Sequence, residues 1–373
     1  MIVIQGKYNS AAVYTDELEP SAEGQIRTLC DQPFTEGSNI AIMPDVHAGK
    51  GCTIGTTMTV GEFVVPCLVG VDIGCGMLTV KLKEKKINLP ALDSFIRKNI
   101  PCGREVRERP HRSHGRISLE ELHCYRRIDS RRAKESLGTL GGGNHFIEVD
   151  KDDEENLYLV IHTGSRNPGL RVAEFYQKKA YDSVGGRKQS EIPYELSPLT
   201  GNDKNDYLAD MKFMQQFAAL NRRIIKEEIL NEMKLHEEEE FTTVHNYIDT
   251  DEMILRKGAV SAKAGERLLI PINMRDGGLI FTGLGNKSMN CSAPHGAGRK
   301  YSRTDAENSF TLSQFKAAME EIFTTSVSRE TIDECPMAYK DINDILKNIK
   351  DTVVVDKIIK PIYNFKASEH GKR

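Results

Sequence analysis

Val69-Gly70-Val71-Asp72-Ile73-Gly74-Cys75-Gly76-Met77 places an aspartate and a cysteine three residues apart, among three glycines. Glycine lets a backbone turn sharply and approach a ligand closely. Carboxylate and thiolate together give one hard and one soft donor, a mixture that suits Mn2+, Zn2+ or Fe2+ better than Ca2+. A buried cysteine at a tight turn is by itself ordinary packing. The weight comes from four histidines further on, each in a specialised loop or at a strand end. His145 follows a triple glycine and Asn144, His162 precedes Thr163-Gly164-Ser165, His245 precedes Asn246, and His295 sits in Pro294-His295-Gly296-Ala297-Gly298. A lone histidine is usually a satisfied core or surface group. Four of them, joined by the Asp72/Cys75 turn, are hard to explain as packing.

Outward from this turn, residues 40–43, 56–60, 63–65 and 77–82 read as strands and 22–30 as a helix. Between them Met43-Pro44-Asp45-Val46-His47 opens a polar, glycine-marked loop, the kind of place where a rigid sheet builds a site. Residues 91–137 read as mainly helical and basic. Strands follow at 146–149 and 157–161, the second a buried apolar run that ends at His162. Helical periodicity marks 168–182 and 207–235, where Met211, Phe213, Met214, Phe217, Leu220, Ile224, Ile225 and Leu230 form a core-facing stripe. The acidic run 237–240 reads as a solvated turn. Strands return at 241–244, 253–256, 268–272 and 279–282. A helix is expected over 339–349 and a β-rich tail over 352–365. No repeat, low-complexity linker or composition break divides the chain. The expectation is one elaborate α+β domain over 1–373, with mixed and antiparallel sheets around a central metal site and helices outside.

At 373 residues, 39% hydrophobic and 28% charged, the chain has the composition of a globular protein with a large core. No apolar run is long enough to span a bilayer. Met1-Ile2-Val3-Ile4-Gln5 reads as a strand rather than a signal peptide, so a cytoplasmic location with reduced thiols is expected for the eight cysteines. They form no C-x-x-C pair, which argues against a zinc ribbon or a thioredoxin-type site. The net charge of −3 does not suggest a histone-like binder. Yet from Arg97 to Lys134 twelve Lys/Arg stand against five Asp/Glu, an excess of seven. Such a block can follow a phosphate backbone, or simply be a solvated helical face.

Asp72, Cys75, His145, His162 and His245 suffice as protein ligands for two ions that keep open positions. A thiolate can bridge two ions. His295 is left over. Its Gly-Ala-Gly-Arg299 tail is similar to a phosphate cradle, where a histidine can bind phosphate oxygen or attack phosphorus.

Taken together, Met43-Pro44-Asp45-Val46-His47, Val71 to Gly76, Gly138 to Glu148, His162 to Arg166, His245-Asn246-Tyr247 and His295 to Arg299 resemble the RtcB-type RNA ligases, in the right order along the chain. The resemblance implies a GTP- and Mn2+-dependent enzyme that joins RNA ending in a 3′-phosphate or 2′,3′-cyclic phosphate to RNA beginning with a 5′-hydroxyl, in tRNA splicing or RNA repair. It implies His295 as the nucleophile that carries GMP. It implies two manganese ions, Asp72 and His145 on one, His162 and His245 on the other, with Cys75 bridging. The guanine nucleotide would lie against Asn144, His145, Phe146, Ile147, Glu148, His245, Asn246, Pro271, Ile272, Asn273, Met274, His295, Gly296, Ala297, Gly298, Tyr339 and Lys366. Many relatives have Pro-Gly-Ser-Met where this chain has Pro271-Ile272-Asn273-Met274. Two other readings use the same residues: a metal-dependent hydrolase that opens cyclic phosphates without ligating, and a non-catalytic RNA-binding protein using the basic segment.

Overall fold

The position of the site follows from four neighbouring strands that run in alternate directions. A computed structural model of the chain describes residues 1–186 and 192–367. Its strands are β1 (Ile2–Gln5), β2 (Ser10–Val13), β3 (Ile40–His47), β4 (Ile54–Thr59), β5 (Gly76–Leu82), β6 (Phe146–Lys151), β7 (Leu157–Thr163), β8 (Glu237–Val244), β9 (Asn246–Asp249), β10 (Ile254–Lys257), β11 (Ala259–Ser261), β12 (Arg267–Asn273), β13 (Gly277–Gly283), β14 (Ser292–Pro294) and β15 (Val353–Lys366). A seven-stranded antiparallel sheet has the order β12-β13-β15-β6-β7-β5-β8. A six-stranded sheet has the order β1-β2-β3-β4-β10-β9 and is parallel only between β2 and β3. β11 and β14 form a two-stranded ribbon.

Within the larger sheet β6-β7-β5-β8 are adjacent and alternate in direction. The start of β6, the end of β7, the start of β5 and the end of β8 therefore meet at one sheet edge. Phe146 and Met77 both pair with His162, and Gly76 pairs with Val244. His145, His162, Cys75 and His245 are brought together by this register. His245 is also the one residue between β8 in one sheet and β9 in the other.

The sheet is covered on both faces, which is why residues 157–161 are apolar without alternation. Val80, Ile147, Val149, Leu159 and Ile161 pack with Leu92 and Ile96 and with Ile225 and Ile229 of the long helix Gly201–Met233. On the other face Met77, Phe146, Tyr158 and Val160 pack with Leu269, Ile280 and Ile359. Each such side chain, fully buried, stabilises the fold by roughly 1.5–3 kcal/mol.

The α+β class holds, and several local expectations do not. Residues 63–65 form no strand. Val64 makes an isolated bridge to Leu199, and Pro66, which has no N–H to give a ladder, starts the short helix Pro66–Val69 instead. The acidic run is the beginning of β8, not a turn. β8 is an edge strand, and Glu237, Glu238, Glu239 and Glu240 pair with Lys226, Lys81, Arg267 and Lys226. The basic segment is helical only at Leu89–Asn99 and Ser130–Glu135. Pro101, Gly103, Pro110 and Gly115 break what lies between into loops and short 3-10 turns. The helix expected over 339–349 is confined to Ile342–Leu346. Among the described residues no helix is long and apolar enough to cross a membrane.

Candidate active site

The Asp72/Cys75 turn is held from behind. Gly74 has φ +71°, and a Cβ there would sit 2.8 Å from Gln215 Cα of the long helix. Two turns further along that helix, buried Arg222 donates to Gly74 O (2.9 Å) and Thr163 O (2.7 Å). Its neighbour Asn221 accepts from Gly138 N (2.7 Å) and Thr139 N (3.1 Å), and donates to Thr139 O (3.0 Å). One pair of polar residues thus ties the three loops that carry Cys75, His145 and His162 to a rigid helix. Burial pulls the Arg222 guanidinium down to about 10. It retains its charge at neutral pH and puts it on carbonyl oxygens.

The five expected ligands form a chain. Asp72 Oδ2 lies 3.0 Å from His145 Nε2, which lies 3.4 Å from Cys75 Sγ. That sulfur lies 3.4 Å from His162 Nε2, which lies 3.1 Å from His245 Nε2. The ligand atoms of Asp72, Cys75 and His145 lie within 4.8 Å of one another, as do those of Cys75, His162 and His245. Cys75 belongs to both sets.

The hydrogen-bond logic favours cations here. His145 Nδ1 lies 2.8 Å from Leu140 O, and His162 Nδ1 lies 3.0 Å from Asn144 O. A carbonyl only accepts, so each Nδ1 carries a proton and each Nε2 of the neutral ring a lone pair. Burial holds all three imidazoles below their ordinary range; the charges of neighbouring histidines add to this for His162 and His245. The result is a buried row of acceptors facing a carboxylate, a sulfur and each other. His245 Nδ1 has no hydrogen-bond partner. Metal ions between these atoms would relieve that conflict. Burial, and next the Asp72 charge, pushes the Cys75 thiol far up, and only a bound cation would reverse this.

His295 follows β14 and stands beside the cluster, its ring centroid 4.9 Å from that of His245. Its Nδ1 donates to Asp45 Oδ2 at 2.6 Å, and its backbone N donates to the same oxygen at 3.1 Å. Asp45, from β3, is fully buried, and its Oδ1 has no partner. The close approach depends on Gly298 (φ +74°), where a Cβ would sit 2.7 Å from Asp45 O. Nδ1 is committed to Asp45, so Nε2 is the nitrogen that keeps a lone pair.

A cavity of about 310 Å³ extends from His162, His245 and His295. Asn144, Phe146, Glu148, Asn246, Pro271, Ile272, Asn273, Met274, Gly296, Ala297, Gly298, Tyr339 and Lys366 line it as well. Two expected nucleotide contacts do not. His145 belongs to the Asp72/Cys75 group that could hold a cation. Ile147 points to the opposite face of β6 and is 0% exposed in the core, because strand side chains alternate. The 271–274 stretch is not a loop but the end of β12 and the residue after it, and its side chains are engaged. Asn273 Oδ1 accepts from Arg275 N and Asp276 N, both at 3.0 Å, and Met274 packs on Phe315 and Ile332.

A family model described as tRNA-splicing ligase RtcB matches residues 25–367. The chain belongs to the RtcB family. It is 32% identical to the RNA-splicing ligase RtcB of Escherichia coli K12 over 91% of this chain and 92% of that one. It is 29% identical to a tRNA-splicing ligase RtcB of Aeropyrum pernix over 90% of each chain, and 26% identical to one from Nanoarchaeum equitans over 86% of each. The residues matched to the RtcB family include every member of the cluster and of the cavity wall.

Against that background some residues around the site went unassigned in sequence. Glu334, 2% exposed, accepts from Tyr339 Oη (2.5 Å) and Arg299 Nη1 (3.3 Å) and forms ion pairs with Lys366 Nζ (2.6 Å) and Arg303 Nη1 (2.9 Å). Burial raises its carboxyl, but Lys366, Arg303 and Arg299 outweigh this and hold it at about 2. Nothing in the local pattern around Glu334 marks it out. Asp45 stood in a loop already singled out as polar, without a role. Asn364 lay inside the expected β-rich tail and was given no role; it stands between buried Tyr363 and Phe365.

Proposed function

We propose that this chain is an RNA ligase that joins an RNA 3′-phosphate to an RNA 5′-hydroxyl, with GTP as the activating nucleotide. The observation that carries the reading is His295, held by a buried carboxylate, facing a nucleotide-sized cavity and abutting a cluster that could hold two cations. Its Nε2 attacks the α-phosphorus of GTP. A P–N bond forms, the bond to pyrophosphate breaks, and the Nδ1 proton stays on its bond to Asp45. An oxygen of the RNA 3′-phosphate then attacks the same phosphorus, the P–N bond breaks, and GMP passes to the RNA end. The 5′-hydroxyl attacks the 3′-phosphorus, its proton goes to solvent, and GMP leaves. A 2′,3′-cyclic phosphate enters the sequence after water opens it to the 3′-monoester.

Two divalent ions, manganese by family resemblance, held by Asp72, Cys75 and His145 and by Cys75, His162 and His245, would supply Lewis acidity at the reacting phosphates. Arg299, Arg303 and Lys366 bring positive charge to the cavity wall. Asp72 is the exposed end of the ligand row, its side chain 27% accessible. The basic segment lies on that side. Gly103 O accepts from Arg166, whose charge also acts on Asp72, and Arg107 donates to Leu137 O and Gly138 O. Exposed Arg104, Arg109, Arg112, Arg126 and Arg132 supply a surface for the RNA backbone. RNAs cut during tRNA splicing or by a nuclease would present suitable ends.

Incubation with radiolabelled GTP and Mn2+ is expected to leave an acid-labile label on the protein, absent from His295→Ala. A His295→Ala protein that still takes label and seals a broken stem-loop would remove the proposal. Release of 3′-phosphate RNA without sealed product would favour the hydrolase reading, and chelator-insensitive RNA binding without chemistry the non-catalytic one.

A further inference from the structure

The β6–β15 pair forms one wall of the cavity. Phe146 and Glu148 alternate along β6, and Lys366 and Asn364 stand opposite them on β15, in register. All four line the cavity. Asn364 is 0% exposed and donates its Nδ2 hydrogen to Glu148 Oε1 in a short hydrogen bond. Its own Oδ1 has no partner. A buried amide that leaves its oxygen unpaired while giving its NH2 group to a carboxylate is a poor packing device. It makes sense as a device for orienting the carboxylate.

The surroundings of Glu148 lead to the same conclusion. Asp150, next on the same face of β6, is 1% exposed, and its Oδ1 is unpartnered. Burial, and next the Glu148 charge, pushes the Asp150 carboxyl well above its ordinary value. Burial pushes Glu148 up to about 7, opposed first by Asn364 and then by Lys366. Lys366 is itself held by Glu334 at 2.6 Å. The Asn364 amide is therefore the closest group favouring an ionised Glu148.

We propose that Asn364 is a positioning residue for base selection, its amide fixing Glu148 as a two-oxygen acceptor for the adjacent N1–H and N2–H donors of guanine. The inference rests on the reading that this cavity takes a guanine nucleotide, and adds to it the residue that makes the choice. A protonated carboxyl would present one donor and one acceptor instead, which matches the N1 and N6–H edge of adenine. Hypoxanthine keeps N1–H and lacks the second donor, so it reports on the second oxygen alone.

The test measures affinity for GTP, ITP and ATP in the presence of Mn2+, by competition with a fluorescent GTP analogue. It uses the full chain carrying His295→Ala, which removes the covalent step. The parent should bind GTP roughly tenfold tighter than ITP, one hydrogen bond's worth, and discriminate more strongly against ATP. Asn364→Leu, and the isosteric Asn364→Asp, should bring GTP down to the level of ITP while changing ITP itself less than about threefold, since its remaining contacts are untouched. General damage to the pocket would weaken all three nucleotides together, and that outcome counts against the proposal. A guanine preference that survives in both Asn364 variants but disappears in Glu148→Gln overturns the role of Asn364 and leaves the guanine reading standing. A parent with no preference for guanine overturns both.

Discussion

Asp45→Asn separates chemistry from stability at a single buried atom. Asp45 Oδ2 accepts from both the backbone N and Nδ1 of His295, while Oδ1 is buried with no partner. As His295 Nε2 bonds to phosphorus, positive charge develops on the imidazole. The carboxylate 2.6 Å from Nδ1 stabilises that charge. Hydrogen bonds to charged groups are worth about 1.5–3 kcal/mol, so replacing the anion by a neutral amide should slow histidine labelling by roughly 10- to 150-fold. Asp45 does not line the cavity, so GTP affinity should change less than about threefold. Stability should change little, because asparagine keeps the shape and an acceptor oxygen for the two His295 N–H groups, so that the difference is about 1 kcal/mol or less. The assay is a time course of label transfer from radiolabelled GTP at saturating nucleotide and Mn2+, paired with denaturant unfolding. Labelling within threefold of the parent would refute the argument that Asp45 activates His295. A large loss of stability would show that Asp45 is structural.

Other outcomes follow from the same geometry. Because Cys75 belongs to both ligand sets, Cys75→Ala should remove both metals, whereas Asp72→Ala should remove about one of two; elemental analysis after gel filtration reads this directly, and equal loss in the two variants would exclude a shared sulfur. Glu334 lies at about 2 in the folded chain against an ordinary 4.5. Its folded value is depressed, so its contribution is fully present above pH 4.5 and is lost as pH falls toward 2. The difference amounts to about 3 kcal/mol by linkage. Glu334→Gln should flatten this acid limb in urea unfolding measured between pH 6 and 2.5, and an unchanged pH slope would contradict it. Arg109→Ala with Arg112→Ala should weaken RNA binding and lower the slope of log affinity against log salt by about 1.4, if each contacts a phosphate of a single strand. An unchanged slope in filter binding would move the RNA path elsewhere.

How much of this was legible beforehand depends on the range of the interaction. The Asp72/Cys75 turn, the four histidine loops and the apolar stripe of the long helix are local patterns, and each lies where local spacing put it. Misreadings arose where a neighbour distant in sequence decided the outcome. Glu237–Glu240 reads as a turn until Lys81, Lys226 and Arg267 are seen alongside it as an edge strand. Ile147 stands in sequence like its neighbours in the 144–148 run, and only the register of β6 shows that its side chain turns into the core.

The sequence alone determined the chemistry on offer: which hard and soft donors can hold cations, which histidine is spare, and which family they resemble. Those are properties of residue type and order, carried by the chain whether folded or not. Only the tertiary structure decided how they act together. The alternation of β6, β7, β5 and β8 brings four ligands to one edge, and Asn221 and Arg222 pin their loops from a helix more than 50 residues away in sequence. Hydrogen bonds to Leu140 and Asn144 choose which imidazole nitrogen is free, and Asp45 chooses it for His295. The physical reason is that direction and protonation are set by contacts made across the fold, which no local pattern encodes.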